Sequence, residues 1–315
     1  MKAPVLYIVI PCYNEEEALP ITAKCMAELL NDLTEKQLVD AKSRVTLVDD
    51  GSRDKTWEVI CALNAADKRF EGVKLAHNAG HMNALWAGMR MVCDACDALV
   101  TIDADLQDDV NAIYGFLEKY REGCDVVYGV RRDRSTDTAF KRSTAQGFYK
   151  LMKRLGVEMV YNAADYRLLS RRAVEALMQF GEVNMFLRGM VPLLGFKTAE
   201  VYYERGERVA GESKYPLKKM VAFAIEGITS FSNKPIRFVT LLGFLFALLG
   251  VAMAVYVLIT LFAGHSVAGW ASTIMSIWLL GGIQLIALGL IGEYVGKIYM
   301  ETKRRPKFIL EEYRK

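Results

Sequence analysis

The chain has 315 residues, 52% hydrophobic and 24% charged, with 40 Lys and Arg against 37 Asp and Glu. This composition excludes a disordered or collagen-like chain, and a net charge of +3 is too small to point to nucleic acid. A mean hydropathy of +0.14 is high for a soluble globule and directs attention to where the apolar residues concentrate.

Residues 1–130 read as alternating strands and helices. Val5–Ile10, Val45–Val48, Val73–Leu75, Ala98–Ile102 and Val126–Tyr128 are apolar runs of strand length. Segments of helical period separate them at Ala18–Leu30, Thr56–Leu63 and Ala84–Val92. The pattern predicts an α/β domain with a mostly parallel sheet covered on both faces, whose ligands bind beyond the carboxyl ends of strands. Those ends are acidic. Pro11-Cys12-Tyr13-Asn14-Glu15 follows the first strand, Asp49-Asp50-Gly51-Ser52 the second, and Asp103-Ala104-Asp105-Leu106-Gln107-Asp108 the fourth.

Tyr13 offers an aromatic face to a nucleobase, and Asp50 offers acceptors for base N–H and ribose hydroxyl groups. Asp103 and Asp105 supply hard carboxylate oxygens suited to Mg²⁺ or Mn²⁺, which take substrate phosphate oxygens as further ligands. Acidic turns also cap helices, a role open to Asp54 and Glu15–Glu17, but three at successive sheet ends point to a site. All six cysteines lie in the first 124 residues of a chain able to build its own core, which suggests a reducing compartment. Cys93 and Cys96 have no second pair at zinc-ribbon spacing, and Gly80 interrupts the helix that His77 and His81 would need as a zinc pair. Met1–Lys2 runs directly into a strand-like segment, so no signal peptide is expected.

Beyond residue 130 the chain becomes basic and then apolar. Arg131, Arg132, Arg134, Lys141 and Arg142 follow the fifth strand, and Arg205, Arg208 and Lys214 precede Pro216. Arginine forks and lysine ammonium groups suit phosphate oxygens. Leu217–Phe231 has helical apolar spacing with Lys218 and Lys219 opposite, and Ala139–Leu155 has a similar mix; both fit helices lying in a membrane interface. From Phe238 to Gly292 there is no Asp, Glu, Lys or Arg, and the run breaks at Gly264-His265-Ser266-Val267-Ala268-Gly269. The two arms, Phe238–Ala263 and Trp270–Gly292, are each long enough at ~1.5 Å per residue to cross a ~30 Å hydrocarbon core. Lys234 and Arg237 on one side, and Lys297, Lys303, Arg304, Arg305 and Lys307 on the other, place both flanks in the cytoplasm by the positive-inside rule. Gly281, Gly282, Gly289 and Gly292 suit close helix packing, including that of a homo-oligomer.

The ordered set of strand-end motifs resembles the family 2 glycosyltransferases of GT-A fold. Gly129-Val130-Arg131, Asp165-Tyr166-Arg167-Leu168, Arg205-Gly206-Glu207-Arg208 through Lys214-Tyr215, Phe231-Ser232-Asn233-Lys234-Pro235 and Gly292-Glu293-Tyr294-Val295-Gly296 narrow the likeness. They are similar to the polyprenyl-phosphate glycosyltransferases, the group of dolichol-phosphate mannose synthases and bactoprenol glucosyltransferases.

The resemblance implies an inverting, metal-dependent transferase of the bacterial cytoplasmic membrane, with a UDP-sugar donor, a polyprenyl phosphate acceptor and Mg²⁺ or Mn²⁺ as cofactor. Glucose leads among the sugars, with galactose, N-acetylglucosamine, aminoarabinose or a GDP-mannose donor as alternatives, and a processive polysaccharide synthase or a non-catalytic membrane scaffold as the other readings. Pro11, Tyr13, Glu15, Asp50, Asn78, Asp103 and Arg205 would bind the nucleotide sugar, and Asp103, Asp105 and Gln107 would form the metal shell. Arg131, Arg142, Arg208 and Lys214 would bind the lipid phosphate. Asp165 would act beside Asp103 and Asp105 in catalysis, as a base or as a group that orients a cation, with a structural pairing to Arg167 as its alternative. The expected organisation is a catalytic domain over 1–215, an amphipathic helix over 216–235, a helical hairpin over 236–296 and a basic cytoplasmic tail over 297–315.

Overall fold

The computed structural model describes residues 2–132, 160–183, 185–206, 234–262 and 269–315. The two expected interfacial helices, and with them Arg142, Arg208 and Lys214, lie outside the described residues. The described residues form two compact units, one of residues 2–132, 160–206 and 305–315, the other of the helices between 234 and 304.

The first unit is an eight-stranded sheet. Its strands are β1 (Leu6–Cys12), β2 (Arg44–Asp49), β3 (Phe70–Leu75), β4 (Ala98–Thr101), β5 (Val126–Arg131), β6 (Ala163–Ser170), β7 (Thr198–Tyr203) and β8 (Leu310–Arg314). They are ordered β7-β5-β6-β4-β1-β2-β3-β8. The β4-β1-β2-β3 centre is parallel, as is β5-β7; β6 runs antiparallel to both neighbours, and β8 runs antiparallel on β3. Every residue of β1 and β4 is buried, the condition for strands that read as continuous apolar runs. Each fully buried Leu or Ile there contributes about 2 kcal/mol of apolar transfer.

The helices α1 (Leu19–Glu35), α2 (Thr56–Ala66) and α3 (His81–Val92) fall where sequence periodicity puts them, α1 running five residues further than expected, and α4 (Ala112–Arg121) adds a helix between β4 and β5 that the periodicity did not mark. On α1 the buried positions Leu19, Thr22, Ala23, Met26, Leu30 and Leu33 keep one face of a helix on the sheet. Gly88 matters for α3, because a Cβ there would stand 2.4 Å from the Val9 side chain and 2.7 Å from that of Val48. Its absence lets α3, which begins at His81, lie directly on β1 and β2. Two short helices, α5 (Arg171–Met178) and α6 (Leu187–Leu193), follow β6.

The residues read as a basic tail are a correction. Leu310–Arg314 form β8, whose register sets Glu312 opposite Lys74 and Tyr313 opposite Val73. Lys74 pairs with Glu311 at 2.9 Å, and the Tyr313 hydroxyl donates to the buried Glu71 at 2.8 Å. Upstream, the Lys307 ammonium donates to the Phe180 carbonyl at 3.0 Å and sits 3.7 Å above the Trp86 ring of α3. These residues belong to the sheet domain.

The second unit contains α7 (Lys234–Phe262) and α8 (Trp270–Lys303), of 29 and 34 residues. At ~1.5 Å per residue both are longer than a ~30 Å hydrocarbon core. The second helix continues past the expected end at Gly292 and closes at Arg304, which takes a left-handed φ of 47°. Phe238, Phe244, Leu248, Leu285 and Ile286 stand exposed along the two helices. Among the described residues one segment, Leu279–Lys303, is long and apolar enough to cross a membrane.

Candidate active site

The three acidic turns meet at one edge of the sheet. β1 and β2 are adjacent and parallel, so Cys12 lies in register with Asp49, and the loops leaving both strands run side by side. They are stitched together: Ser52 Oγ accepts from the Asn14 amide at 3.0 Å, and Asn14 Oδ1 accepts from the Arg53 amide at 2.9 Å. The Glu15 amide donates to Thr56 Oγ1 at the start of α2. Asn14 takes φ 54°, a left-handed turn that asparagine tolerates, and this turns the chain so that Tyr13 stands out, 41% exposed. Pro11, expected among the donor-binding residues, is instead buried within β1 opposite Val48.

The loop after β3 is drawn onto the same edge by Asp50. Its carboxylate accepts from the Ala79 amide at 2.7 Å and the Gly80 amide at 3.0 Å. Burial pushes its acidity weaker than usual, while those two amides pull the other way. Gly51 completes the approach with φ 64°. A Cβ there would lie 2.6 Å from the Asn78 amide nitrogen, so only glycine lets the two loops touch. Asn78 is exposed beside this junction, and Asp50 itself is buried as the brace of the His77–Asn83 turn.

Beside the β1 loop, on the side away from β2, lies the acid turn after β4. His81, the first residue of α3, places Nε2 3.6 Å from Asp103 Oδ1. Asp103 keeps 38% of its side chain open to solvent, yet its carboxyl is flanked by protein and by other acids. Desolvation pushes it up to about 6, Asp165, Asp108 and Asp105 add to the rise, and His81 opposes it. A divalent cation would relieve that crowding of negative charge. The donors are hard carboxylate oxygens, and among the described residues no cluster of three or more ligating side chains closes a cage. That set fits a cation that completes its shell with water and substrate oxygens.

The far side of the acid turn is clasped by β5 and β7. Asp108, 2% exposed, accepts at one oxygen from Arg131 Nε at 3.1 Å, Arg131 Nη2 at 2.9 Å and the Tyr203 hydroxyl at 2.6 Å. Gln107, expected to support a metal shell, instead accepts at Oε1 from the Arg205 guanidinium, and its carbonyl accepts from the Gly206 amide at 2.8 Å. The segment carrying Arg205 is thereby fastened to the turn that carries Asp105.

Asp165 takes the pairing with Arg167 that the sequence offered as its alternative, and adds a second arginine. It is buried, with one oxygen 2.6 Å from Arg167 Nη2 and the other 2.8 Å from Arg188 Nη2. Desolvation disfavours its charge, but the two guanidinium groups outweigh that and hold the carboxyl well below the usual range. A carboxylate so paired is a poor base; its geometry is that of a group orienting cations. Arg188 and Asp108 are the neighbours that motif reading left without a role. Asp108 stands inside the quoted Asp103–Asp108 motif, so its charge was visible; Arg188 carried no spacing signal at all.

Comparison with known proteins adds the family. The glycosyl transferase family 2 model matches residues 7–178, and the model of the GtrB C-terminal hairpin matches residues 234–298. Glycosyltransferase YkoT of Bacillus subtilis (strain 168) is 52% identical over 98% of this chain and 91% of its own. A prophage bactoprenol glucosyl transferase homolog of Escherichia coli (strain K12) is 38% identical, covering 98% of this chain and 99% of that one. The bactoprenol glucosyl transferase of Shigella phage SfV is 39% identical over 96% and 97%. With the acidic strand ends and the family match on the same domain, this chain belongs to glycosyl transferase family 2 and carries a GtrB-type C-terminal hairpin.

Proposed function

We propose that the protein transfers glucose, with inversion, from UDP-glucose to undecaprenyl phosphate at the cytoplasmic face of a bacterial membrane. The observation that carries this reading is full-length similarity to proteins named for bactoprenol glucosyl transfer, hairpin included. The sheet domain is the catalytic part, and α7 and α8 anchor it beside the lipid acceptor. Their basic flanks put both ends of the hairpin in the cytoplasm, and the small residues of α8 favour a homo-oligomer.

In the site, Tyr13 stacks on uracil, and Asp50 keeps the Asn78 turn in place beside it. Asp103 and Asp105 hold Mg²⁺ or Mn²⁺, which supplies charge neutralisation at the departing diphosphate. The acceptor phosphate, with a second pKa near 6, is mostly dianionic at pH 7 and needs no strong base. The engagement of both Asp165 oxygens by arginines accords with that. Arg131 and Arg205, with Arg142, Arg208 and Lys214 outside the described residues, supply the cations that bring two repelling anions into line.

The test is transfer from a panel of labelled UDP-sugars to undecaprenyl phosphate by the purified protein, with and without EDTA. One labelled lipid from UDP-glucose, lost with EDTA, is the expected result. A product from another sugar reassigns the donor, and no lipid product despite UDP-sugar binding removes the acceptor.

A further inference from the structure

Arg131 is the last residue of β5, and its guanidinium presents two edges. Nε and Nη2 are both taken by Asp108, while Nε also donates to the Tyr203 oxygen at 3.2 Å. Nη1 has no hydrogen-bond partner among the described residues, and the side chain is 29% exposed. The group holding it is unusually fixed. Asp108 receives three hydrogen bonds at one oxygen, and Tyr203 is buried with its ring edge-on to Tyr166 at 5.4 Å. Tyr166 in turn packs on Phe116 at 4.7 Å and donates its hydroxyl to the Asp109 carbonyl at 3.0 Å. The arginine is thus gripped along one edge and, among the described residues, has no hydrogen-bond partner along the other.

The grip also spans the site. Asp108 lies three residues beyond Asp105 on the turn that holds the proposed donor metal, whereas Arg131 and Tyr203 end β5 and β7. These two strands are parallel neighbours, with Arg131 in register with Tyr203. One carboxylate therefore sets the distance between the donor-side acids and an acceptor-side cation.

We propose that Asp108 and Tyr203 are positioning residues that act through Arg131, holding its open edge to receive the acceptor phosphate at a fixed distance from Asp103 and Asp105. This rests on the reading of Arg131 as a phosphate ligand. Neither residue touches substrate itself. Without the clasp, Arg131 keeps its charge but loses its orientation, so acceptor affinity falls while donor binding is spared.

The experiment measures KM for undecaprenyl phosphate, KM for UDP-glucose, kcat and melting temperature of the full-length protein in detergent. The variants are Tyr203→Phe, Asp108→Asn, Arg131→Ala and the double variant Asp108→Asn/Arg131→Ala. Tyr203→Phe keeps the aromatic packing and removes one hydrogen bond, so acceptor KM rises about 3- to 10-fold. Asp108→Asn, which removes a charged acceptor, raises it on the order of 10- to 100-fold, with donor KM unchanged in both. In the Arg131→Ala background, Asp108→Asn adds nothing further to acceptor KM, because its effect passes through the arginine. A lowered melting temperature with acceptor KM unmoved makes the clasp merely structural and overturns the proposal, as does an equal rise in both KM values. If Arg131→Ala raises acceptor KM and Asp108→Asn does not, the clasp fails and the phosphate reading stands. If Arg131→Ala itself leaves acceptor KM unchanged, both fall.

Discussion

Asp105→Asn keeps the shape of the acid turn and removes one of the two charges proposed to hold the cation. Turnover should fall by at least ~10²-fold, with the remaining activity less responsive to added Mn²⁺; full metal-dependent turnover in this variant would move the metal site elsewhere. A second residue-scale prediction concerns Asp125, remote from the cleft. Its carboxylate accepts from Ser170 Oγ at 2.8 Å and Arg172 Nε at 3.0 Å, and the Arg172 hydrogen bond, before the others, makes it a stronger acid than usual by holding its pKa below the ordinary carboxylate value. A depressed carboxyl contributes stability that is complete above its unfolded value, ~3.9, and is lost as pH falls below it. Asp125→Asn should therefore lower the melting temperature at pH 7 by about 2–4 °C. Thermal scans from pH 7 down to acid should show wild type and variant converging below pH ~4; a gap that persists there would deny the linkage.

At the scale of elements, the parallel centre of the sheet was legible because β1, β2 and β4 are buried on both faces and so read as unbroken apolar runs. The same burial made the polar residues at their ends stand out. β6 was hidden because its core-facing positions include Asp165 and Arg167, a buried ion pair that breaks the hydropathy pattern. β8 was hidden for a different reason: Leu-Glu-Glu-Tyr-Arg is an edge strand with solvent along much of its length, and its signal is charge rather than apolarity. Its attachment is nonetheless specific. Tyr313→Phe removes the 2.8 Å donor to buried Glu71, leaving the Tyr7 hydroxyl at 3.5 Å. The cost should be about 1–3 kcal/mol, measurable as a lower melting temperature of the full-length protein; an unchanged value would mean that β8 is only loosely held.

At the scale of the whole molecule, two units of opposite character share one chain, and the modest average hydropathy conceals both. The exposed apolar side chains of α7 and α8 predict that the protein stays in the membrane pellet after alkaline carbonate extraction, and release into the supernatant would deny the anchor. The position of β8 has a consequence for how such a chain is made. Leu310–Arg314 emerge from the ribosome after both long helices, while their partner β3 was synthesised some two hundred residues earlier. Throughout that interval the β3 edge has no neighbour, and loop closure across so long a separation is slow. The sheet is thus completed only once the hairpin has been translated, so that maturation of the soluble domain waits on synthesis of its anchor.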